Sequence, residues 1–297
     1  MINERNLKIF YEVAKRLNMT EAADALRISQ PAVSQTIREL EQEYGIRLFD
    51  RIGRRLYLTQ GGDCFYQYVR RILNLFDECS KTLKELNGAH QGRLKIGASA
   101  TIGIYMLTGT VGEFHKTHPD VDVSITIENT RIIAGLILEN KVDFAFVEGL
   151  VDAAEIAMEP FWDDELVFIV PPGHPWTRLE RPGSALLAAE RLIMREPGSG
   201  TRTIIENALQ NRGVTYQVGL ELGNIEAVKK AVEAGLGVSC LSARCVAQEI
   251  RDRRIQTVQF ADLRITRKLK LIYHKDKYLT ELFKTFIAFC KPDARPD

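Results

Sequence analysis

Apolar positions recur at helical spacing through the first third of the chain and then give way to short alternating or continuous apolar runs. Leu7, Phe10, Val13 and Leu17 mark an amphipathic helix at the start. Ala22, Ala23, Ala25 and Leu26 predict a short second helix buried on one side, with the hydroxyl of Thr20 placed to cap it. Ser29 is the next predicted cap, and Pro31 sits in the first turn that follows, where its missing N–H costs nothing. On this third helix Ala32, Val33, Ile37, Leu40 and Glu41 recur at helical spacing, which leaves Gln30, Ser34, Gln35 and Arg38 on the outer face. A hairpin follows, reversing at Ile52-Gly53 and returning through the alternation Leu56-Tyr57-Leu58. From residue 59 to residue 89, Phe65, Val69, Ile72, Phe76, Cys79 and Leu83 alternate spacings of four and three, the pattern of a coiled-coil seam. A helix of some 25 residues would be a rod of about 38 Å, too exposed to be stable without a partner helix.

Residues 90–92 read as a hinge. Beyond it the period changes to that of strands alternating with helices: Arg93 to Gly97, Val121 to Ile127, Val142 to Val147 and Leu166 to Val170 as strands, and Ile132 to Leu138 as a helix. Such alternation predicts parallel sheets covered on both faces, with ligands held beyond the carboxyl ends of strands next to helix amino termini. Ser99-Ala100-Thr101-Ile102-Gly103 and Ser199-Gly200-Thr201-Arg202 both fall at such places. Each offers hydroxyls, backbone N–H groups and a positive helix end, a chemistry that holds an anion without a metal. Arg202, and Arg195 beside it, would add charge, and Asn224 begins a third helix as cap or ligand. Ser99, Ser199 and Thr201 can equally be plain helix caps.

At 297 residues with 45% apolar content the chain is long enough for two or three domains. No segment has the length and apolarity of a membrane span, and the amino terminus lacks a signal-peptide core, so a cytoplasmic protein is expected. Net charge is only +1, so any nucleic-acid affinity must be local. It is local: Arg47, Arg51, Arg54 and Arg55 surround the hairpin. A helix pair followed by a basic hairpin is a winged helix-turn-helix, in which Gln and Arg at the start of the second helix meet base edges and the wing grips the backbone. The five cysteines contain no CxxC pair, which disfavours a disulfide framework or zinc site; Cys240 and Cys245, five apart, leave a thiol redox sensor as an alternative. No nucleophile elbow or complete dinucleotide fingerprint is present, and no metal, cofactor or enzymatic activity is expected. A stand-alone enzyme or solute-binding protein would have no use for the amino-terminal head.

Ala22-Ala23, Ser29 to Ser34, Ile37, Leu40-Glu41, Gly45, Leu48-Phe49 and Arg51 resemble the amino-terminal signature of LysR-type transcriptional regulators. The order of later segments extends that resemblance over the whole chain. It implies an α/β protein with a winged helix-turn-helix at 1–58, a linker helix at 59–89 that pairs two subunits, and a two-lobed, periplasmic-binding-protein-like effector domain. Lobe I is expected to comprise 93–163 and 266–297, and lobe II 164–265. The resemblance further implies double-stranded promoter DNA as partner, contacted by Thr20, Gln30, Pro31, Ser34, Gln35, Arg38 and the wing residues Arg51, Arg54 and Arg55. Gln35 stands where arginine is more usual in the family, which leaves the base preference open. A homo-oligomer, a dimer of dimers, is implied as well. Ser99 to Gly103, Val147-Glu148-Gly149, Gly198 to Arg202, Glu221 to Asn224 and Gly235 to Ser242 most resemble regulators tied to sulfite and sulfur assimilation, and share part of their pattern with carbon-fixation regulators. A small anionic effector follows, bound by Ser99, Ala100, Thr101, Ile102, Glu148, Ser199, Gly200, Thr201, Arg202 and Asn224, with Glu148 awkwardly placed beside an anion unless it pairs with an arginine or binds a donor on the ligand. A phosphorylated or carboxylate metabolite is the alternative.

Overall fold

The structure, a computed structural model, describes residues 2–53, 55–86 and 92–291. The chain divides into two units, Met1–Gly88 and Ala89–Asp297.

In the first unit α1 (Glu4–Arg16), α2 (Met19–Leu26) and α3 (Gln30–Tyr44) precede the hairpin strands β1 (Phe49–Ile52) and β2 (Arg55–Leu58), and α4 (Gln60–Leu86) follows. The cap of α2 is Asn18, not Thr20: its Oδ1 accepts the N–H groups of Thr20 and Glu21. Thr20 lies inside the first turn and is exposed. Only Ala22 and Ala23 of the expected buried face are buried; Ala25 is exposed and Leu26 half-buried, because two small side chains suffice for α1 and α3 to close over so short a helix. Ser29 does cap α3, accepting from the Ala32 N–H, with Pro31 in the first turn. Glu41 is not a packing residue; its carboxylate accepts the N–H groups of Leu48 and Phe49 and so ties α3 to the wing.

The seam of α4 does not run as the spacing suggests. Val69 is fully buried, and Phe65 and Ile72 pack with it against Leu7, Phe10, Val13, Ile37 and Phe49 of the same chain. The Phe65 ring centroid lies 4.6 Å from that of Phe10. The winged head cannot bury enough apolar surface alone, and the amino-terminal half of α4 completes its core. Phe76 and Leu83 remain exposed at 45% and 61%, as does Cys79, so the part of the expected seam left uncovered lies in the second half of the helix.

In the second unit β3 (Arg93–Ala98) leads into α5 (Ala100–Ile102), a π-turn at Gly103–Leu107 and α6 (Thr108–Thr117); β4 (Asp122–Ile127), α7 (Thr130–Leu138) and β5 (Phe144–Val147) complete the first pass through lobe I. The long β6 (Ile156–Val170) enters lobe II, which contains β7 (Arg191–Arg195), α8 (Gly200–Asn211), β8 (Gln217–Leu222), α9 (Ile225–Glu233), β9 (Val238–Ser242), α10 (Ala243–Arg251) and β10 (Gln256–Val258). β11 (Ile265–His274) returns, and α11 (Glu281–Cys290) packs Phe283 and Phe286 into the lobe I core. The strands follow the order β4-β3-β5-β11-β6-β9-β7-β8, with β10 on β6. β3 pairs parallel with β4 and β5, and β7 with β8 and β9, as expected, but β6 and β11 pair antiparallel with each other along both lobes, and β5 on β11 and β9 and β10 on β6 are antiparallel too. The expected lobe boundaries at 163/164 and 265/266 fall inside two hydrogen-bonded strands.

Residues 90 and 91 of the expected hinge lie outside the described residues. Gly92 belongs to lobe I: its carbonyl accepts from the Asp122 N–H at 2.9 Å, and a Cβ there would overlap Leu282.

Candidate effector cleft and DNA-reading face

Arg267 and Asp164 stand directly opposite each other on β11 and β6, at the crossing between lobes. The Arg267 Nε donates to Asp164 Oδ2 at 2.7 Å, and Ser242 donates to the other oxygen of that carboxylate at 2.7 Å. From the same guanidinium, Nη1 donates to Thr201 Oγ1 at 2.9 Å and to Glu148 Oε2 at 3.4 Å. Glu148, at the end of β5, also accepts the Thr101 N–H at 2.8 Å and the Thr201 hydroxyl at 2.5 Å. Thr101 and Glu148 belong to lobe I and Thr201 to lobe II, so this carboxylate bridges the two.

Burial by itself would raise the Glu148 carboxyl above the usual range, but the Arg267 charge and the bonds from Thr101 and Thr201 outweigh it and hold the group below that range. Glu148 is thus ionised and accepts only. Arg267 is the residue the sequence reading missed, and it answers the question of what pairs with Glu148. The same network leaves one donor unused. Ser99 is buried, caps nothing with its side chain, and its Oγ has no hydrogen-bond partner among the described residues. Arg267 Nη2 lies 2.7 Å from Asp164 without hydrogen-bond geometry to any described group.

Other expected site residues do different work. Arg202 donates to Glu206 at 2.8 Å and pairs with Glu221, so its charge is already matched outside the cleft; Arg195 is likewise bound to Glu196. Ile102 is fully buried in the lobe I core, because α5 turns that side chain inward. Ala100 is half-buried against the apolar cluster of lobe II. Asn224 caps α9 and Ser199 caps α8. Gly200 marks where the lobes touch: a Cβ there would stand 2.5 Å from the Gly149 nitrogen. A second bridge lies at Tyr105, whose hydroxyl donates to Glu226 and accepts from the buried Lys229 Nζ at 2.9 Å, while Lys229 donates also to Glu249 at 2.9 Å.

Cys240 and Cys245 are both buried, and burial pushes the Cys245 thiol up to about 12 and that of Cys240 upward too. Thiolate, the oxidisable form, is suppressed at both. Ellman titration of the native protein is expected to show fast reaction at the exposed Cys64, with the buried Cys240, Cys245 and Cys290 reacting only on unfolding. Fast reaction at Cys240 or Cys245 would revive the thiol sensor.

On α3 the side chains of Gln30, Pro31, Gln35 and Arg38 are exposed and Ser34 is half-buried. Gln35 donates to Glu39 at 2.9 Å and Arg38 to the Ser34 hydroxyl at 3.3 Å, contacts within one helix that a base edge can replace. Arg51 and Arg55 are exposed on adjacent strands of the wing, while Arg54 lies outside the described residues.

Two family models cover nearly the whole chain: the bacterial regulatory helix-turn-helix protein, lysR family, at residues 5–63, and the LysR substrate binding domain at residues 87–295. The HTH-type transcriptional regulator YeiE of Escherichia coli strain K12 is 35% identical over 295 residues, 98% of each chain. A RuBisCO operon transcriptional regulator of Allochromatium vinosum is 33% identical over 293 residues, 99% of this chain and 97% of that one. Among solved structures, the regulatory domain of Synechocystis CcmR in complex with 2-PG superposes with a TM-score of 0.65 at 29% identity, over 69% of this chain and 98% of that one. None of the described helices is long and apolar enough to cross a membrane. With a reading head, a pairing of strands that joins two lobes, and both family models in sequence order, the chain belongs to the LysR family: it is a DNA-binding transcriptional regulator with an effector-binding domain and not an enzyme.

Proposed function

We propose that this regulator senses a small oxyanion that carries a proton, hydrogen sulfite first among them, in the cleft floored by Glu148 and Arg267. The observation that carries this reading is the state of Glu148: buried, ionised and able only to accept. An anion without a proton would meet a like charge there, whereas a protonated oxyanion donates to it and takes the unused donor of Ser99 on another oxygen. The likeness of the cleft segments to sulfite-linked regulators favours sulfur. The 2-PG complex of CcmR favours a larger anion as the second reading.

Operator recognition falls to Gln30, Pro31, Ser34, Gln35 and Arg38, with Thr20, Arg51 and Arg55 holding phosphates. Phe76, Cys79 and Leu83 are the surface offered to a second copy. Effector binding changes transcription only in so far as it favours one arrangement of the assembly over another.

Thermal unfolding of the full chain against sulfite, sulfate, thiosulfate, phosphate and small carboxylates tests the cleft. Effector at 100 times its Kd stabilises by about 2.7 kcal/mol. Stabilisation by sulfite near neutral pH, absent with sulfate and lost in Thr201→Val, is expected. Stabilisation by none of these anions, or by sulfate as strongly as by sulfite, would sink the reading.

A further inference from the structure

Tyr105 lies one helical turn beyond Thr101, in the π-turn Gly103–Leu107 into which α5 leads. Such turns occur mostly as single insertions within α-helices and recur at functional sites. The Tyr105 side chain packs on the apolar cluster of lobe II that Ile225, Val228 and Cys245 help to build, and Ala100 joins it there from lobe I. Its hydroxyl donates to Glu226 and accepts from Lys229 Nζ at 2.9 Å, both on α9 of lobe II. The lobes are thus joined a second time, by a side chain outside the network of Glu148 and Arg267.

Lobe II by itself holds Lys229. The side chain is buried, and Nζ donates to the Glu249 carboxylate at 2.9 Å and to the Cys245 carbonyl at 3.2 Å, with a Glu226 oxygen 2.7 Å away. An ammonium has three N–H groups, and with the Tyr105 hydroxyl counted the acceptors around it outnumber them. When Tyr105 withdraws, Glu226 takes the freed N–H and the buried cation stays fully paired. The phenol, half-buried even when docked, turns to water. Stripping a partner from a buried charge is what makes such a contact costly to break, and here no charge is stripped. The joint can open and close without rebuilding the core of lobe II.

We infer that Tyr105 is a releasable latch between the lobes: a lobe I hydroxyl that docks on a cation fixed in lobe II, sets how often the lobes are together, and so positions the effector cleft without touching its ligand. Parting the lobes separates Ser99 and Glu148 from Thr201, so effector is bound by the latched fraction and its apparent Kd rises as that fraction falls. That consequence rests on the cleft reading; the latch itself does not. Cys245, on α10, reports on the latch directly. It is 2% exposed, packed with Ala100 and Tyr105 and beside Thr101, and loses that cover when lobe I withdraws. Cys240 is equally buried, but in a cluster of lobe II residues that parting leaves intact.

Tyr105→Phe keeps the ring and removes the latch. The full chain, without effector, is labelled with iodoacetamide, and Cys240 and Cys245 are followed by mass spectrometry in separate tryptic peptides, since Arg244 lies between them. Labelling of Cys245 is expected to accelerate by roughly fivefold or more in the variant as the open population grows, with Cys240 unchanged. Glu226→Ala should accelerate it too, and the two changes together by less than the product of their separate effects, because both remove the same bond. Sulfite affinity, measured by calorimetry without the reagent, should weaken by a similar factor in Tyr105→Phe. No acceleration at Cys245 overturns the latch, and so does an equal acceleration at Cys240, which would mean that the variant is merely less stable. Equal sulfite affinity in the native protein and the variant overturns the role of Tyr105 in positioning the cleft. Faster labelling of Cys245 with sulfite bound by neither protein supports the latch and sinks the sulfite reading alone.

Discussion

Arg267→Met is expected to lower the thermal midpoint of the protein by about 10 °C at neutral pH and to make it rise on mild acidification, where the native midpoint stays nearly level. The guanidinium is the cation that both Glu148 and Asp164 face at the lobe crossing, and all three side chains are about 2% exposed or less. Removing one partner from a buried charge network costs about 3–5 kcal/mol, because the charges left behind are neither solvated nor paired. For a domain of this size each kcal/mol moves the midpoint by roughly 2–4 °C. In the native protein Glu148 titrates below its ordinary value of 4.5, so the stability it contributes is present above that pH and lost as pH falls through the lower, folded value. Without Arg267 burial dominates and the carboxyl titrates above its ordinary value. Its charge then destabilises the fold at neutral pH, and acidification relieves it. Differential scanning calorimetry from pH 7 down to about 4.5 should therefore show the native midpoint nearly level and the variant's rising. Glu148→Gln in the variant should restore part of the loss at neutral pH. A variant as stable as the native protein, with the same pH slope, would mean that the network contributes nothing.

Replacing Gln35 and Arg38 together by alanine should reduce affinity for the natural operator by roughly 100-fold or more, since each bidentate contact to a base is worth about 1–3 kcal/mol. Both side chains are exposed on α3 and hold nothing in the core, so the melting curve should not move. Affinity for random-sequence DNA should fall little, by the one charge removed. Arg55→Ala is the contrasting case: a wing arginine on a phosphate weakens every sequence alike and lowers the salt slope by about 1. Fluorescence anisotropy at several salt concentrations with operator and random duplexes separates the two outcomes. An operator affinity in the double variant within a few-fold of the native value would place base recognition elsewhere.

Much of this architecture can be read from local chemistry. Ser29 and Pro31 fix the start of α3, and Val33, Ile37 and Leu40 fix its buried side, because caps and periodicity depend on neighbours in sequence. Long-range pairings are less visible. The seam of α4 is a stripe at correct spacing, but a stripe does not name what covers it; Phe65 and Val69 are claimed by Phe10 and Phe49, tens of residues away. Arg267 left a trace that parity alone could have exposed. On β11, Ile265, Arg267, Leu269 and Leu271 share the buried face while Thr266 and Lys268 point out, and on β6 Trp162, Asp164, Leu166 and Phe168 do the same. A charge of each sign on the apolar parity of two strands is costly unless the two meet, and they face each other in register. The unpaired role of Ser99 and the engagement of Arg202 by Glu206 and Glu221 had no comparable signal, since both depend on side-chain directions set by the fold.

The burial of Phe65, Val69 and Ile72 in the head has a mechanical consequence. Welded to α1 and α3 over its first three turns, α4 has no joint at its upper end, and head and helix turn as one piece. The 27 residues of α4 span about 40 Å, so a tilt of about 10° applied at the free end sweeps the reading head through roughly 7 Å. Base pairs are spaced about 3.4 Å along each strand, and that sweep is some two steps of the duplex. A modest tilt imposed at the carboxyl end of α4 would therefore displace the reading head by a distance comparable with the spacing of bases, with the helix serving as its lever.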